Sequence, residues 1–310
     1  MALDGREYCH SPRSQGPQCL RQPEAQGQGH SSPLVVSATL VGAGSPQGLP
    51  LDAEEVRNPT VESHPQDCEL TASKRLVTRR RREQPQMALS VVGDDLYSQT
   101  PFVEPLQHLR LHYVLVAKPA SHPTLMAAVM GAELQGVREQ GQGAEGSGVR
   151  RRIYTYRIVR QVPLAAAHPV PVTFGEVWEP TAGGALLYPK SWITDLAVNA
   201  ENVAAVGRIG RTRWKIENEQ FNVQKNHGYE LPPNYGHGPH PLSMVFSLVN
   251  LLASVTPVIV ELGERLSQRC RARESRRELW AALRTTLHGV LVESWSQLLL
   301  VYLEEDTAGP

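Results

Sequence analysis

Residues Gly210–Gly238 read GRTRWKIENEQFNVQKNHGYELPPNYGHG, and the first half of this stretch is the part of the chain on which a fold assignment depends. Its spacing predicts a helix in which Arg213 and Glu217, four residues apart, lie on one face. Gln220 and Gln224 continue that charged stripe. Apolar pairs seven residues apart border it on either side, namely Trp214 with Phe221 and Ile216 with Val223.

Two interpretations of this helix are open. Core side chains on both sides would hold the Glu217 carboxylate in a fixed direction, as a metal ligand or a general base requires. The alternative is an ordinary amphipathic helix with an Arg–Glu ion pair, since charge pairs are common at this spacing.

Composition is that of a soluble globular protein. The chain has 310 residues, is 41% hydrophobic and 20% charged, and has a formal net charge of zero. Neutrality argues against a non-specific nucleic-acid binder, but the basic residues are clustered, which leaves DNA binding open. The four cysteines are widely spaced, with no C-x-x-C pair, which indicates a reducing compartment and neither a disulfide scaffold nor a zinc site.

No targeting segment is predicted. The N-terminal MALDGREYCH carries charge by its fourth residue and has no long apolar run, unlike a signal peptide. The apolar stretch Leu242–Leu262 has about the length of a membrane-spanning helix. It contains Asn250, Pro257 and Glu261 and lacks basic clusters at both ends, which favours a buried core helix. We therefore expect a cytoplasmic protein with no membrane partner; membrane association is the weaker alternative.

An alternation of strands and helices predicts an α/β fold in the first half of the chain. The predicted strands are residues 33–41, 49–56, 87–93 and 111–117, and the predicted helices are residues 67–84, with Asp67 as a cap, and 101–109. Asp94 follows the strand at 87–93 directly, at the end of the strand where α/β sheets place their chemistry. A helix cap or turn is the alternative role for Asp94.

The second half of the chain has a different pattern. Residues 132–150 are rich in Gly, Gln and Glu and predict a flexible hairpin or linker. Antiparallel strands are predicted at Arg151–Val162, Val170–Val177 and Ala185–Val198. A helix from about residue 199 leads into the stripe helix, and two apolar helices, residues 242–265 and 278–303, are expected to pack on the core.

Three local patterns have more than one interpretation. Asp4 and Gly5 follow a short apolar run, and by pattern alone an Asp-Gly pair indicates a turn. The run Arg79–Arg82 is either a helix end that complements the helix dipole or a set of DNA phosphate contacts. His227, His237 and His240 share one loop, but their spacing gives little support for a metal site.

Several longer blocks resemble one enzyme family. The blocks are RTRWKIEN with FNVQK and GY…NYGHG, LDGREYCHSPRSQGPQCL near the start, QDCELTASKR, and the pair VVGDDLY and YVLVAKP. Together they resemble the DDE transposases of bacterial insertion sequences of the IS-four type. The resemblance implies a ribonuclease H-like mixed sheet flanked by helices, with an antiparallel β insertion before the last catalytic helix. It divides the chain into residues 1–131, the first part of the core; 132–198, the insertion; 199–238, the core helix; and 239–310, the C-terminal helices.

The resemblance also implies an active site. Asp4, Asp94 and Glu217 would be the three catalytic carboxylates and would bind Mg²⁺ or Mn²⁺, with Asp95 as an alternative to Asp94. Hard oxygen ligands suit these ions better than zinc. The implied reaction is cleavage and strand transfer of DNA by two-metal phosphoryl transfer.

The implied partners are the DNA ends of a mobile element, the target DNA and a second copy of the chain on that DNA. The predicted phosphate contacts are Arg213, Lys225, Arg211, Arg208, Arg79 and Arg80, with Arg151 and Arg152 as further candidates.

The sequence departs from the family signature at two positions of the predicted helix that carries Glu217, and also near the start of the chain. Gly210 stands where the family has Tyr, and Gln224 stands where it has Lys, with Lys225 one place on. Asp4 lies only four residues from the first residue, whereas the family has a DNA-recognition segment before this aspartate. A truncated or decayed transposase without activity, at most binding DNA, is therefore the alternative function.

Overall fold

The computed structural model describes residues 1–7, 20–22, 30–32, 34–57, 67–145, 152–178, 190–229 and 242–305. The strands are β1 (Ala2–Glu7), β2 (Leu20–Gln22), β3 (His30–Ser32), β4 (Leu34–Val41), β5 (Gly48–Glu55), β6 (Ser90–Gly93), β7 (His112–Val116), β8 (Glu139–Glu145), β9 (Arg152–Pro163), β10 (Pro171–Trp178) and β11 (Lys190–Thr194). The helices are α1 (Glu69–Glu83), α2 (Thr100–His108), α3 (Pro123–Leu134), α4 (Val203–Arg211), α5 (Asn222–Asn226), α6 (Leu242–Gly263), α7 (Arg265–Arg271), α8 (Arg276–Gly289) and α9 (Trp295–Glu305), with a 3₁₀ turn at Pro119–Ser121 and a π-helical segment at Ile216–Phe221.

Nine of these strands form one mixed sheet flanked by helices, which confirms the α/β class. The order is β5-β4-β1-β6-β7-β11-β10-β9-β8. β4 is antiparallel to both β1 and β5, whereas β1, β6 and β7 are parallel neighbours. The strands from β8 to β11 pair antiparallel, as the sequence predicts, and they continue the same sheet because β11 pairs with β7.

Strand alternation divides the buried side chains between two faces of the sheet. Leu3, Val91 and Tyr113 belong to the core that α1, α2 and α3 cover. Their chain neighbours Ala2, Val92 and Val114 belong to the core that α4 and the π-helical segment cover. The central strands are therefore buried on both faces, and polar groups at their ends are held by a rigid layer.

Of the two interpretations of the Gly-rich region, the flexible linker is wrong for residues 139–145, because they form the edge strand β8, which pairs antiparallel with the next strand, β9, as in a hairpin. The glycines of this strand have a packing role. A Cβ on Gly141 would lie 2.7 Å from Val203, and one on Gly143 would lie 2.6 Å from Ala204, both in α4. The glycines thus let a helix lie directly on the strand, a use of glycine that composition alone does not distinguish from flexibility.

Two expectations about helices are wrong. Asp67 does not cap α1 through its N3 amide; the cap residue is Cys68, and Asp67 instead accepts hydrogen bonds from the amides of Arg57 and Cys68. The two predicted C-terminal helices are four, α6 to α9, and α7, α8 and α9 share a small core of their own that includes Leu279, Leu283 and Leu299.

The prediction of a buried helix at 242–262 is also wrong. Met244–Gly263 in α6 is long and apolar enough to cross a membrane, and only 22% of its most apolar window is buried. One side of α6 packs on β4 and β5, where Met244 and Leu251 contact Val35 and Ala53. The other side of the helix is exposed.

Candidate active site

Asp4 and Asp94 lie on neighbouring parallel strands at the same end of the sheet. Ala2 of β1 is opposite Val92 of β6, and each aspartate follows two residues later. The even spacing directs both side chains to the same face, and adjacent strands lie about 5 Å apart. The Asp-Gly turn that the local pattern favours is therefore wrong, since both residues are inside β1.

Gly5 lies in a strand, and a carboxylate occupies the place that a side chain on this residue would take. A Cβ on Gly5 would lie 2.4 Å from the carboxyl group of Glu69, the first residue of α1. Glu69 accepts hydrogen bonds from the amide of Gly5 at 3.0 Å and from the hydroxyl of Tyr97 at 2.6 Å. The ring of Tyr97 in turn packs on Gly93, where a Cβ would lie 2.8 Å from it.

Glu69 is thus a fourth carboxylate, which lies over Gly5 within electrostatic range of Asp4, and the sequence analysis did not assign it a role. A signal for it existed in the QDCEL block, whose Glu is this residue. Gly5, Gly93 and Tyr97 belong to the blocks around the two aspartates and shape the same corner.

The side chains of Asp94 and Asp95 have different surroundings. Asp94 Oδ1 accepts a hydrogen bond from the amide of Leu96 at 2.9 Å. One oxygen therefore makes the turn contact expected from the alternative role of Asp94 as a cap or turn residue. Asp95 Oδ1 accepts the amide of Lys118 and lies 3.4 Å from Nε2 of the buried His122. Asp94 interacts electrostatically with Asp4, which favours Asp94 over Asp95 as the second acid.

Glu217 lies in the π-helical segment, where the amide of Asn222 donates to the carbonyl of Glu217 five residues back. Short π-helical stretches are rare and occur often at functional sites. Arg213 Nη1 lies 2.7 Å from Glu217 Oε1 and 3.7 Å from Asp4 Oδ2. The expected Arg–Glu pair is therefore present, and its guanidinium also joins the third acid to the first.

The π geometry displaces the side chains that a regular helix would place on the charged stripe. Gln220 and Gln224 are buried, and they bond to Thr39 of β4 and to Ser254 of α6 respectively. Trp214 is 47% exposed, because it lies in the irregular turn between α4 and the π-helical segment. The expected wall of core side chains is thus incomplete, and the Glu217 side chain is 50% exposed.

The carboxylate of Asp4 interacts electrostatically with the other three carboxylates. Burial raises the pKa of Asp4 to about 7; Arg213 opposes this shift, and Asp94, Glu69 and Glu217 add to it. Burial also raises the pKa of Glu69, with Asp94 contributing in the same direction. Burial is the largest cause of both shifts, and neighbouring acidic groups add to it.

The donor set fits a hard divalent cation in kind. It consists of carboxylate oxygens, which suit Mg²⁺ and Mn²⁺. Within the described part of the chain no three acidic, histidine or cysteine side chains are already arranged as metal ligands. Arg213 now lies between Asp4 and Glu217, where its guanidinium supplies positive charge.

The two departures from the family signature have structural consequences. A Cβ on Gly210 would lie 3.0 Å from Val114, so a larger side chain would require a shift of α4 or β7. Gln224 is directed into the protein toward α6, and its neighbour Lys225 is exposed on α5. A basic role at this point of the helix therefore falls to Lys225.

The other predicted DNA contacts fall into two groups. Arg79 forms ion pairs with Asp52 and Glu54, and Arg80 pairs with Asp52 and Glu83, so their charge is already neutralised. Arg208 is exposed on α4, and Arg211 lies over the ring of Tyr154 at 4.9 Å. Arg151, His237 and His240 lie outside the described residues, as does the side chain of Arg152.

A cleft of about 450 Å³ opens beside Arg213. Its lining combines basic and aromatic side chains: Lys118, Lys190, Arg211, Arg213, Trp192 and Trp214. It also contains Gly210, whose missing side chain leaves this space open. The cleft therefore connects the carboxylate corner with a surface suited to an anionic, partly aromatic ligand.

No protein-family model matches the chain, and no curated protein matches it.

Proposed function

We propose that the chain is a metal-dependent DNA strand transferase with a ribonuclease H-like core, similar to the DDE transposases of bacterial insertion sequences. One arrangement carries the proposal: Asp4 and Asp94 lie at the same end of neighbouring parallel strands, and Arg213 lies 3.7 Å from Asp4 and 2.7 Å from Glu217. The meander β5-β4-β1, followed by the parallel strands β6 and β7, supports the proposed core.

In this proposal Asp4, Asp94 and Glu217 hold Mg²⁺ or Mn²⁺. Bound there, the ions would lower the pKa of an attacking water or 3′-hydroxyl and stabilise the leaving oxygen of the DNA phosphate. Asp4 and Asp94 are held by the sheet, whereas Glu217 is half exposed on the π-helical segment. The two aspartates therefore form a fixed pair, and Glu217 completes the set from the more accessible side.

Arg213 has two roles in this scheme. Its guanidinium pairs with Glu217 at 2.7 Å and lies 3.7 Å from Asp4, so it supplies one positive charge between two carboxylates. With a divalent cation bound to the carboxylates, the guanidinium would be free to contact a DNA phosphate. Arg211, Lys118 and Lys190 line the adjoining cleft and would bind the backbone of the same strand without reading its sequence.

The proposed partners are the DNA ends of a mobile element and its target, bound by two copies of the chain in the bacterial cytoplasm. Lys225 and Arg208 are exposed on the helices next to the site and supply further phosphate contacts. Arg79 and Arg80 are omitted from this surface because acidic neighbours already pair with them.

Cleavage of DNA carrying the element's ends, with and without Mg²⁺, tests the proposal. We expect nicking that requires Mg²⁺ and falls at least about a thousandfold in Asp94→Asn and Glu217→Gln, since each loses a charged ligand. Glu219→Gln is the matched control: it lies in the same π-helical segment and is not among the groups that shift Asp4. Cleavage that persists in Glu217→Gln would refute the assigned site.

A decayed transposase that binds DNA without cutting it is the second candidate. Gly210, where an added Cβ would lie 3.0 Å from Val114, and the buried Gln224 favour it, because two signature side chains are replaced. DNA binding with no Mg²⁺-dependent nicking by the wild-type chain would support this candidate.

A further inference from the structure

A second cleft, separate from the carboxylate corner, lies between α6, α8 and the residues that follow α5. Its volume is about 650 Å³, within the range of pockets that hold small ligands or single nucleotides. One wall is α6, with Ala253, Thr256 and Pro257; the opposite wall is α8. We call it the α6–α8 cleft.

Basic and aromatic side chains alternate along the α8 wall. Arg276, Trp280 and Arg284 recur every four residues and so lie on one face of the helix, with Arg277 beside them. Trp280 is half-buried and stacks at 5.6 Å on Trp295, so its ring is held in place. The face therefore presents a fixed aromatic surface between two positive charges.

Positive charge in the cleft exceeds what the described residues neutralise. Arg276 pairs with the buried Glu261, which also pairs with Arg271 outside the cleft. Arg277 and Arg284 are exposed and form no salt bridge within the described part of the chain. Two further acidic groups act on these arginines: Glu278, which interacts with Arg277 and takes part in the N-terminal cap of α8, and Glu219, which interacts with Arg276.

Tyr229 supplies a second aromatic group on the wall opposite α8. It is half-buried, and burial raises the pKa of its hydroxyl, while Arg276 and Arg284 act in the opposite direction. The hydroxyl therefore lies within electrostatic range of both arginines. Gly228, with φ of +85°, turns the chain just before it.

We propose that the α6–α8 cleft binds single-stranded nucleic acid, with a base against Trp280 and Tyr229 and phosphates on Arg277 and Arg284. Aromatic platforms flanked by arginines are the usual construction of single-strand sites, because every base has a face that can stack. The cleft adjoins the end of the helix that carries Glu217, so a strand in it would lead from the carboxylate corner. This role rests on the proposed function; the binding itself does not require metal.

The test is binding of a fluorescein-labelled 20-nucleotide oligo-dT to the full chain in EDTA. We expect Arg277→Gln/Arg284→Gln to lower affinity at least about tenfold at low salt and to reduce the slope of log K against log salt by about 1.4, since each single-strand phosphate contact contributes about 0.7. The matched control, Arg265→Gln/Arg269→Gln, removes two exposed arginines of α7 that do not line the cleft. It should bind like the wild type.

A second pair of variants tests the aromatic part. Trp280→Leu keeps apolar volume but removes the ring, and should weaken oligo-dT binding about tenfold, whereas Trp280→Phe should retain most of it. Circular dichroism and thermal unfolding report that each variant folds. An unchanged affinity and salt slope in Arg277→Gln/Arg284→Gln would overturn the proposal. It would also be overturned if this variant bound a 20-base-pair duplex more weakly but bound oligo-dT like the wild type.

The outcome is independent of the cleavage assay. If Arg277→Gln/Arg284→Gln binds oligo-dT more weakly but the wild type never cleaves DNA, the single-strand site is supported and the proposed strand transferase is refuted. If the wild type cleaves with Mg²⁺ and the arginine pair binds oligo-dT normally, the reverse holds.

Discussion

The sheet and the four C-terminal helices bury their apolar side chains to different degrees. All of the largest fully buried side chains belong to the sheet, to α1 to α3 or to their connections, among them Tyr97, Phe102 and Phe174. Residues 242–305 contribute none of these and most of the exposed large apolar side chains, including Val249, Leu252 and Ile259. The carboxylate corner lies on the rigid part, and the α6–α8 cleft lies on the less buried part.

This difference matters for what each region does. Metal-dependent chemistry needs carboxylates held in place, and a strand buried on both faces provides that. A surface that receives a long flexible ligand needs accessible charge and aromatic rings more than rigidity. Under the two proposals, the carboxylate corner lies on the rigid sheet and the α6–α8 cleft lies on the more exposed helices. Substitutions in each region should therefore differ in their effect on stability.

The largest effect is expected for a fully buried side chain of the sheet. Phe174→Ala removes a fully buried ring from β10 and should lower the free energy of unfolding by about 3–5 kcal/mol. Urea denaturation followed by circular dichroism measures it. A loss below about 1 kcal/mol would mean that the sheet is no more tightly packed than the C-terminal helices.

The contact of the π-helical segment with the sheet should give the next largest effect. Thr39→Val removes the hydroxyl that bonds to the buried Gln220, whose Nε2 already has no partner within the described residues. We expect a loss of about 1–3 kcal/mol, the cost of an unsatisfied buried amide. Ser254→Ala is the matched control on α6, where Gln224 loses one partner at 3.1 Å. A larger loss in the control would reverse the comparison.

The sequence predicted the regular parts of the rigid region. Strands β4 to β7 and helices α1 and α2 follow from apolar periodicity, since these segments are buried as their patterns require. The positions of Asp4 and Asp94 depend on pairing between β1 and β6, which no local pattern contains; only the family resemblance suggested it. Gly5 was misinterpreted locally because the group that fills its side, Glu69, is 64 residues away.

The less buried region was harder to predict for a physical reason. An apolar 20-residue stretch fits a core helix, a membrane span or an exposed helix equally well, and only 22% of the most apolar window of α6 is buried. The π-helical segment also changes which side chains face outward, so that a stripe drawn with regular helical spacing fails at Gln220 and Gln224. The predicted pair of Arg213 and Glu217 does form, because both residues precede most of the π-helical segment.

The pH dependence of stability should report the carboxylate corner. The pKa of Asp4 is raised from 3.8 to about 7 in the folded protein, so folding favours its protonated form. That contribution is complete below pH 3.8 and is lost as pH rises toward 7 and above. In EDTA the free energy of unfolding should therefore fall by about 2–3 kcal/mol between pH 5 and pH 8, and Asp4→Asn should remove most of this slope.

Added Mg²⁺ sharpens the same test. Binding requires ionised carboxylates, so thermal stabilisation by Mg²⁺ should be larger at pH 8 than at pH 5 and absent in Asp4→Asn. Glu54 and Asp67, whose pKa values are lowered by neighbouring arginines against the effect of burial, lose their stabilising contribution only at lower pH. A flat profile in the wild type between pH 5 and pH 8 would contradict the charge assignment at Asp4.

The smallest effect is expected on the exposed side of α6. Leu252 is 65% exposed, so Leu252→Gln should change the free energy of unfolding by no more than about 0.5 kcal/mol. It should raise solubility, measured by light scattering at increasing protein concentration, because an exposed apolar patch promotes association. Leu299→Gln, on the buried side of α9, is the contrasting variant and should destabilise strongly. If Leu252→Gln costs as much as Leu299→Gln, the outer side of α6 is covered in solution, and the two regions differ less in burial than their exposed side chains indicate.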